Sequence, residues 1–163
     1  MKIWNRIKQL SLKQFFILLK VFVKRPLYII PTHKATLETL QICNKLFGTK
    51  HQNHTKENAF RHALWNIIIA KNCYSPKRDV TNVVEWAEKI TTLHEKIAPN
   101  KPLETAMDLH NNKVGLALFE KEKLYQKSLS EIKKMLLQKM EVSIKVSSEE
   151  EMKQHVDKLV YLE

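Results

Sequence analysis

Glycine and proline are scarce in this sequence, which holds only two Gly and five Pro among 163 residues. Sandwiches and barrels need turn residues roughly every ten positions, so this scarcity argues against an all-β architecture and favours long helices. A chain of this length can bury a core without disulfides or metals. We therefore predict a mainly α fold, a single-domain helical bundle, with a candidate short strand near the C-terminus, where VSIKV alternates.

Cysteine is also rare. Cys43 and Cys73 are the only two in the chain, they lie in apolar surroundings, and they form no C-x-x-C motif, so a disulfide framework is excluded. We predict two buried free thiols in a reducing compartment.

Acidic residues are missing from the N-terminal part of the chain, and the first one in the sequence is Glu38. The apolar run FFILL in this part is too short to span a bilayer, and no small-residue cleavage site follows it. Two interpretations stay open for residues 1–30, an amphipathic helix at a membrane surface or an ordinary core helix with a solvated basic face. We predict that residues 31–163 form the helical domain and that the protein is cytoplasmic; in the first interpretation it also lies at the inner membrane surface. The basic residues ahead of Glu38 are Lys2, Arg6, Lys8, Lys13, Lys20, Lys24, Arg25 and Lys34.

Helix boundaries follow from apolar periodicity and from capping residues. The loop TKHQNHTKE is polar, so we expect His51 and His54 to be solvated. In RPLYIIP, Pro26 and Pro31 predict a break, after which Thr32 is the candidate cap. The predicted helices are Thr32 to Gly48, Glu57–Cys73, Val80–Ala98, Pro102–Lys123, residues 128–140, and a short one that begins within SSEEEMKQHV.

The stretch NAFRHALWN, residues 58–66, sets polar side chains into an apolar helix. A buried polar group without a partner costs about 1–3 kcal/mol, so such a stripe must be satisfied internally or must face a cavity. Positions three and four apart share one helix face. That stripe consists of Asn58, Arg61, His62, Trp65 and Asn66.

Two later segments carry similar groups. His94 lies in a core stripe with Glu95 beside it, and MDLHNNKVG puts Asp108, Asn111 and Asn112 on one face, with His110 adjoining. Gly115 costs about 1 kcal/mol relative to Ala in mid-helix, which suggests close approach of another backbone or of a ligand.

Convergent His and carboxylate groups from facing helices build metal and acid–base sites. In one interpretation His62, His94, Glu95 and Asp108, with His110 as a further candidate, bind one divalent metal, zinc by preference. In a second, metal-free interpretation, His94–Glu95 or His62–Asp108 is an acid–base pair, Arg61 clamps a phosphate and the Asn amides hold substrate. In the third, the polar residues are a structural network. The substrate-binding candidates are Asn58, Trp65, Asn66, Asn111 and Asn112.

NAFRHALWN, LHE and MDLHNNKVG resemble the shared motifs of an uncharacterised family of bacterial helical domains. The resemblance covers residues 57–118 and implies a small helical domain, found in some members at the ends of secreted or toxin-like proteins. It marks as motif residues Asn58, Arg61, His62, Trp65, Asn66, His94, Glu95, Asp108, His110, Asn111, Asn112 and Gly115. More loosely, the order His62, His94-Glu95, Asp108 is similar to that in HD-type phosphohydrolases, with Glu in place of Asp.

The charge balance points to an anionic partner. Lys and Arg exceed Asp and Glu by 28 to 17, a net charge of +11, which favours nucleic acid or an acidic membrane surface. We expect a metal-assisted hydrolase of phosphoesters, in phospholipid or in nucleic acid. The alternative is a non-catalytic helical module that binds a membrane surface or nucleic acid, although zinc-finger spacing and recognition-helix signatures are missing.

Overall fold

The computed structural model describes residues 20–77, 79–97 and 100–163, and this part of the chain is mainly α, as predicted. Residues 20–24 are helical, and short 3-10 turns lie at Pro26–Tyr28, Lys50–Gln52 and Leu124–Gln126. The remaining elements are α1 (Ile29–Phe47), α2 (Lys56–Cys73), α3 (Val80–Ile97), α4 (Pro102–Lys121), α5 (Leu129–Glu141), β1 (Ile144–Lys145), α6 (Glu149–Lys153) and β2 (Val160–Tyr161).

Helix α2 is the centre of the bundle. It packs against α1, α3, α4 and α5, and 12 of its 18 residues are buried, which explains why it is apolar on nearly all sides. Its closest neighbour is α4. A Cβ on Gly115 would lie 2.6 Å from the carbonyl oxygen of Ala63, so the backbones of α2 and α4 touch here. The expectation of a close approach at Gly115 is confirmed, and the partner is a helix backbone.

Most helix predictions agree with the structure to within two residues, because their end signals are local. Pro102 occupies the first turn of α4, where no N–H partner is needed. Ser128 and Glu131 form a reciprocal capping box at the start of α5. Ile132, Leu136 and Met140 are buried and form the core-facing side of α5.

The predicted start of α1 is wrong. The helix begins at Ile29, so Pro31 lies within its first turn, where the missing N–H breaks no helical hydrogen bond. Thr32 is therefore not the cap. Its side chain is buried instead, and its Oγ1 accepts a hydrogen bond of 2.9 Å from Trp86 Nε1.

The C-terminal segment adds a small parallel pair, in which Ile144 faces Val160 and Lys145 faces Tyr161. This confirms the short strand predicted within VSIKV, and α6 crosses between the two strands. Asn111 of α4 holds β2 in place: its Nδ2 donates to Val160 O and its Oδ1 accepts from Val160 N, both at 2.9 Å. A second apolar cluster joins this segment to α4 and contains Met107, Val146, Met152 and Val160.

Both cysteines are free and buried, as predicted, and burial raises the pKa of Cys43 to about 12.

The prediction that His51 is solvated is wrong. Its 3-10 turn packs on α2, the side chain is buried, and Nε2 lies 2.8 Å from Asn44 Oδ1. Burial also lowers the pKa of His51. His54 is half-buried, with Nε2 3.3 Å from Glu104 Oε1.

No helix within the described residues is long and apolar enough to cross a bilayer. The amphipathic helix predicted for residues 1–30 lies largely outside the described part, which begins at Lys20. Of its last residues, Val21 and Phe22 pack against the main core, whereas Val23, Leu27 and Ile30 are exposed.

Candidate metal centre

Three helices bring one imidazole and two carboxylates together inside the bundle. His62 of α2, Glu95 of α3 and Asp108 of α4 each offer a ligand atom, and these three atoms lie within 4.8 Å of one another. All three side chains are buried. They come from the three motifs NAFRHALWN, LHE and MDLHNNKVG, so the predicted convergence of these motifs is confirmed.

Hydrogen bonding determines which nitrogen of His62 carries the proton. Arg61 Nη2 lies 2.7 Å from His62 Nε2, and a guanidinium can only donate, so Nε2 is the acceptor. The proton is therefore on Nδ1, which donates to Asn112 Oδ1 at 3.3 Å. Burial first, then the Arg61 charge, lowers the pKa of His62 well below its ordinary value. The ring is neutral near pH 7, with a lone pair on Nε2.

Asp108 directs an oxygen at that lone pair. Its Oδ1 lies 3.1 Å from His62 Nε2, yet among the described residues this buried oxygen has no hydrogen-bond partner. The other oxygen, Oδ2, accepts from Asn100 Nδ2 at 3.2 Å. Burial raises the pKa of Asp108 to about 6, and the nearby Arg61 charge partly opposes that rise. Near neutral pH the carboxylate is therefore ionised and the imidazole is not, so the contact is no ion pair.

Two acceptor atoms this close repel unless a cation lies between them. In a tetrahedral site with metal–ligand distances of 2.0–2.1 Å, neighbouring ligand atoms are roughly 3.3 Å apart. The 3.1 Å separation of His62 Nε2 and Asp108 Oδ1 is close to that spacing. Arg61 supplies one positive charge and one hydrogen bond at Nε2; a divalent ion would take the place of that hydrogen bond and would also satisfy Asp108 Oδ1.

A chain of amides and one hydroxyl stands behind His62. Asn112 Oδ1, which takes the His62 proton, also accepts from Asn66 Nδ2 at 2.7 Å. Asn66 Nδ2 reaches the His62 carbonyl at 3.1 Å as well, and Asn66 Oδ1 accepts from Thr91 Oγ1 at 3.0 Å. This chain fixes the orientation of the ring and the proton on Nδ1, so that Nε2 faces Arg61 and Asp108, and metal-ligating histidines are oriented from behind in the same way.

Glu95 approaches the other ring nitrogen, with Oε1 4.0 Å from His62 Nδ1. Arg61, which contacts His62, is half-buried, and Asn100, which donates to Asp108, is exposed. A guanidinium is the side chain best suited to hold a phosphate in two hydrogen bonds.

The structure does not bring every predicted ligand into this group. His94 is half-buried and packs edge-on against Trp65, with ring centroids 5.1 Å apart. His110 has its Nε2 2.9 Å from the carbonyl oxygen of Lys158. Both histidines lie outside the group of three described above.

The predicted substrate-binding residues do not lie together in one place either. Asn66 and Asn112 lie in the network behind His62, whereas Asn111 uses both amide atoms to hold β2. Trp65 donates from Nε1 to Thr36 Oγ1 at 3.0 Å. Asn58 is buried, and its Oδ1 has no hydrogen-bond partner among the described residues.

Sequence reasoning missed two residues of the centre. Thr91 lies one turn before Glu95, so the same spacing argument that linked Asn58 to His62 could have placed it on this face. Asn100 lies between two helices, where no periodicity operates, and nothing in its surroundings in the sequence marks it.

Comparison with known proteins identifies the family of this chain and gives no activity for it. No curated protein and no solved structure matches the chain. A family model does match, over residues 19–144, which is most of the chain and contains all three motifs of the centre. The chain belongs to the family described as Domain of unknown function (DUF6973).

Proposed function

We propose that this protein is a metal-assisted hydrolase of phosphoesters. What carries the proposal is the pair formed by His62 Nε2 and Asp108 Oδ1, two buried acceptor atoms that lie 3.1 Å apart. His62, Glu95 and Asp108 would hold one divalent ion, with zinc preferred because imidazole and carboxylate are common zinc ligands. Three protein ligands leave a coordination position open, as in catalytic zinc sites.

A bound divalent ion supplies a water molecule whose pKa falls toward neutrality, and hence a nucleophile. The protein's own side chains bind the phosphate and orient the ligands. Arg61 binds the phosphate oxygens, and Asn112 keeps the His62 proton on Nδ1. Asn100 orients Asp108 through Oδ2, so that Oδ1 stays directed at the metal position.

The substrate class follows from charge. A net charge of +11 attracts polyanions, and a guanidinium next to the ligand group suits a phosphate diester or monoester. Phospholipid and nucleic acid are the two sources of such an ester that the basic surface would attract.

The metal-free alternative also rests on a contact. Arg61 lies 2.7 Å from His62, so with no metal present His62 would take the proton of a water molecule that attacks an Arg61-bound phosphate ester. Chelation separates the two chemistries, because activity that survives exhaustive chelation supports the metal-free pair.

The test is hydrolysis of nitrophenyl phosphate mono- and diesters with added zinc. We expect His62→Gln and Asp108→Asn to lower kcat/KM at least about a hundredfold. The matched controls His110→Gln and Asp157→Asn should leave it unchanged, because His110 lies outside the group and Asp157 is exposed. Phosphatidylglycerol and single-stranded DNA then serve as natural esters.

Two results contradict the proposal. One is a wild-type protein that binds no zinc and hydrolyses none of these esters while its helical circular dichroism is intact. The other is equal activity in wild type and in His62→Gln. If the His62 and Asp108 variants unfold and the wild type holds no metal, the polar residues are a structural network.

A further inference from the structure

Residues 20–37 expose several large apolar side chains within a short stretch of the sequence. Val23, Leu27 and Ile30 are 69%, 73% and 67% exposed, and Leu37 follows on the same face of α1 as Ile30. Single exposed apolar residues are ordinary, but several in one short stretch form a patch that water does not favour. We call Val23, Leu27, Ile30 and Leu37 the apolar patch.

Basic side chains surround this patch. From residue 20 to residue 37 the chain carries no acidic side chain. Lys24, Arg25, Leu27 and Lys77 line an open cavity of about 370 Å³, together with Asp79 and Asn82. Arg25 is held there, because its Nη2 donates to Asn82 Oδ1 at 3.3 Å and its guanidinium lies 5.7 Å from the centre of the Tyr28 ring. The cations of the cavity therefore adjoin the apolar patch directly.

We propose that this surface docks on an anionic phospholipid bilayer. Leu27, Ile30 and Val23 enter the boundary between headgroups and acyl chains, while Lys24, Arg25 and Lys77 bind headgroup phosphates in the cavity. A membrane surface supplies an apolar partner for the patch and negative charge for the cavity, where three cations face one carboxylate, that of Asp79. The docking surface is independent of the metal centre, so either can fail without the other.

Charge also decides against the nearest competing occupant, the chain's own N-terminal segment. Residues 1–19 contain Lys2, Arg6, Lys8 and Lys13 and no acidic residue. A segment of that charge would be repelled by Lys24, Arg25 and Lys77. The same segment adds to the attraction between the protein and an anionic bilayer.

The first experiment measures sedimentation of the full chain with vesicles of phosphatidylcholine alone or mixed with phosphatidylserine. We expect binding only to the mixed vesicles, with affinity that falls as salt rises. The triple variant Lys24→Gln/Arg25→Gln/Lys77→Gln should bind roughly a hundredfold more weakly, about fivefold for each cation removed. A triple variant with the same net charge, Lys113→Gln/Lys121→Gln/Lys134→Gln, changes exposed residues elsewhere and should bind far better than the first.

The second experiment removes the apolar part. Leu27→Ser/Ile30→Ser changes two exposed side chains, so it should leave thermal stability unchanged while it weakens vesicle binding about tenfold for each side chain. The control Val142→Ser/Val156→Ser alters side chains that are 64% and 74% exposed and should bind vesicles like wild type.

Three outcomes overturn the proposal. Equal losses of vesicle binding in both triple variants would show that net charge alone drives binding. Loss of thermal stability in Leu27→Ser/Ile30→Ser, with vesicle binding unchanged, would mean that the chain's own segment covers the patch. Binding of duplex DNA that needs Lys24, Arg25 and Lys77 but not Leu27 and Ile30, without vesicle binding, would assign the surface to nucleic acid.

Discussion

At the scale of single residues, the buried side chains of Asn66, Thr91 and Asn112 form a chain of hydrogen bonds that supports His62. Asn112 is the centre of this arrangement, because its Oδ1 accepts from both His62 Nδ1 and Asn66 Nδ2. One carbonyl oxygen thus satisfies two buried donors, and one conformation of the imidazole is selected. Leu or Ala in these positions would pack as well but would leave the ring without an orientation.

Replacing Asn112 tests this role. Asn112→Ala leaves two buried donors without an acceptor, and each costs about 1–3 kcal/mol. We therefore expect the free energy of unfolding in urea to fall by about 2 kcal/mol or more. Lys113→Ala, an exposed neighbour on the same helix, should change it by less than about 0.5 kcal/mol. Equal stabilities of the two variants would mean that Asn112 does not satisfy these donors.

Asp108 makes stability depend on pH. Its pKa is raised from 3.8 to about 6 by burial, so the folded metal-free protein holds this proton more tightly than the unfolded chain. Its contribution is therefore fully present below pH 3.8 and is lost as pH rises through about 6. His62 acts in the opposite direction. Its pKa is lowered, so stability is lost as pH falls below the ordinary histidine value and is present above it.

A comparison with Asp108→Asn isolates the carboxylate, since His62 is common to both proteins. From pH 4 to pH 7, in the presence of chelator, we expect the free energy of unfolding of the variant to rise relative to wild type by on the order of 3 kcal/mol. Asp157→Asn is the control, because that carboxyl is exposed. A difference between Asp108→Asn and wild type that does not change with pH would contradict the raised pKa of Asp108.

At the scale of helices, the contact between α2 and α4 positions two of the three residues of the proposed metal centre. His62 and Asp108 lie on these two helices, and the Gly115–Ala63 contact sets the distance between the helix axes. A Cβ on Gly115 would lie 2.6 Å from a backbone oxygen that cannot rotate away. The two helices must therefore separate if Gly115 is replaced.

Gly115→Ala should lower the free energy of unfolding by about 1–3 kcal/mol through overpacking, even though Ala is the better helix former by about 1 kcal/mol. Zinc affinity should fall with it, because His62 Nε2 and Asp108 Oδ1 move apart. Urea denaturation and zinc titration measure the two effects. A variant as stable as wild type, with unchanged zinc affinity, would show that this contact does not set the spacing.

The helices were predictable because their signals are local: Pro102 in a first turn, the Ser128–Glu131 box, and Gly48 after the end of α1. The convergence of three motifs also followed from helix faces. Which residues would be the ligands did not follow from the sequence. The rotation of α3 and α4 about their own axes decides that Glu95 faces His62 while His110 faces Lys158. The role of Asn111 in holding β2 could not be predicted either, since its hydrogen-bond partner Val160 is 49 residues away along the chain.

At the scale of the whole molecule, the proposed ligand group and the proposed lipid-docking surface lie on different elements. His62 lies on α2, Glu95 on α3 and Asp108 on α4, whereas the apolar patch belongs to residues 23–37. A buried centre and a basic apolar surface fit an enzyme that works on esters gathered at an anionic surface. The two proposals have separate tests, so each can be judged alone.

The most direct measurement of the central claim is the zinc stoichiometry of the purified protein, by titration calorimetry together with elemental analysis. We predict about one zinc ion per chain in wild type and in His110→Gln, and none in His62→Gln, with the helical circular dichroism of all three proteins unchanged. A wild-type protein that binds no zinc or other divalent transition metal, or a His62→Gln variant that binds as well as wild type, would contradict a metal centre at His62, Glu95 and Asp108.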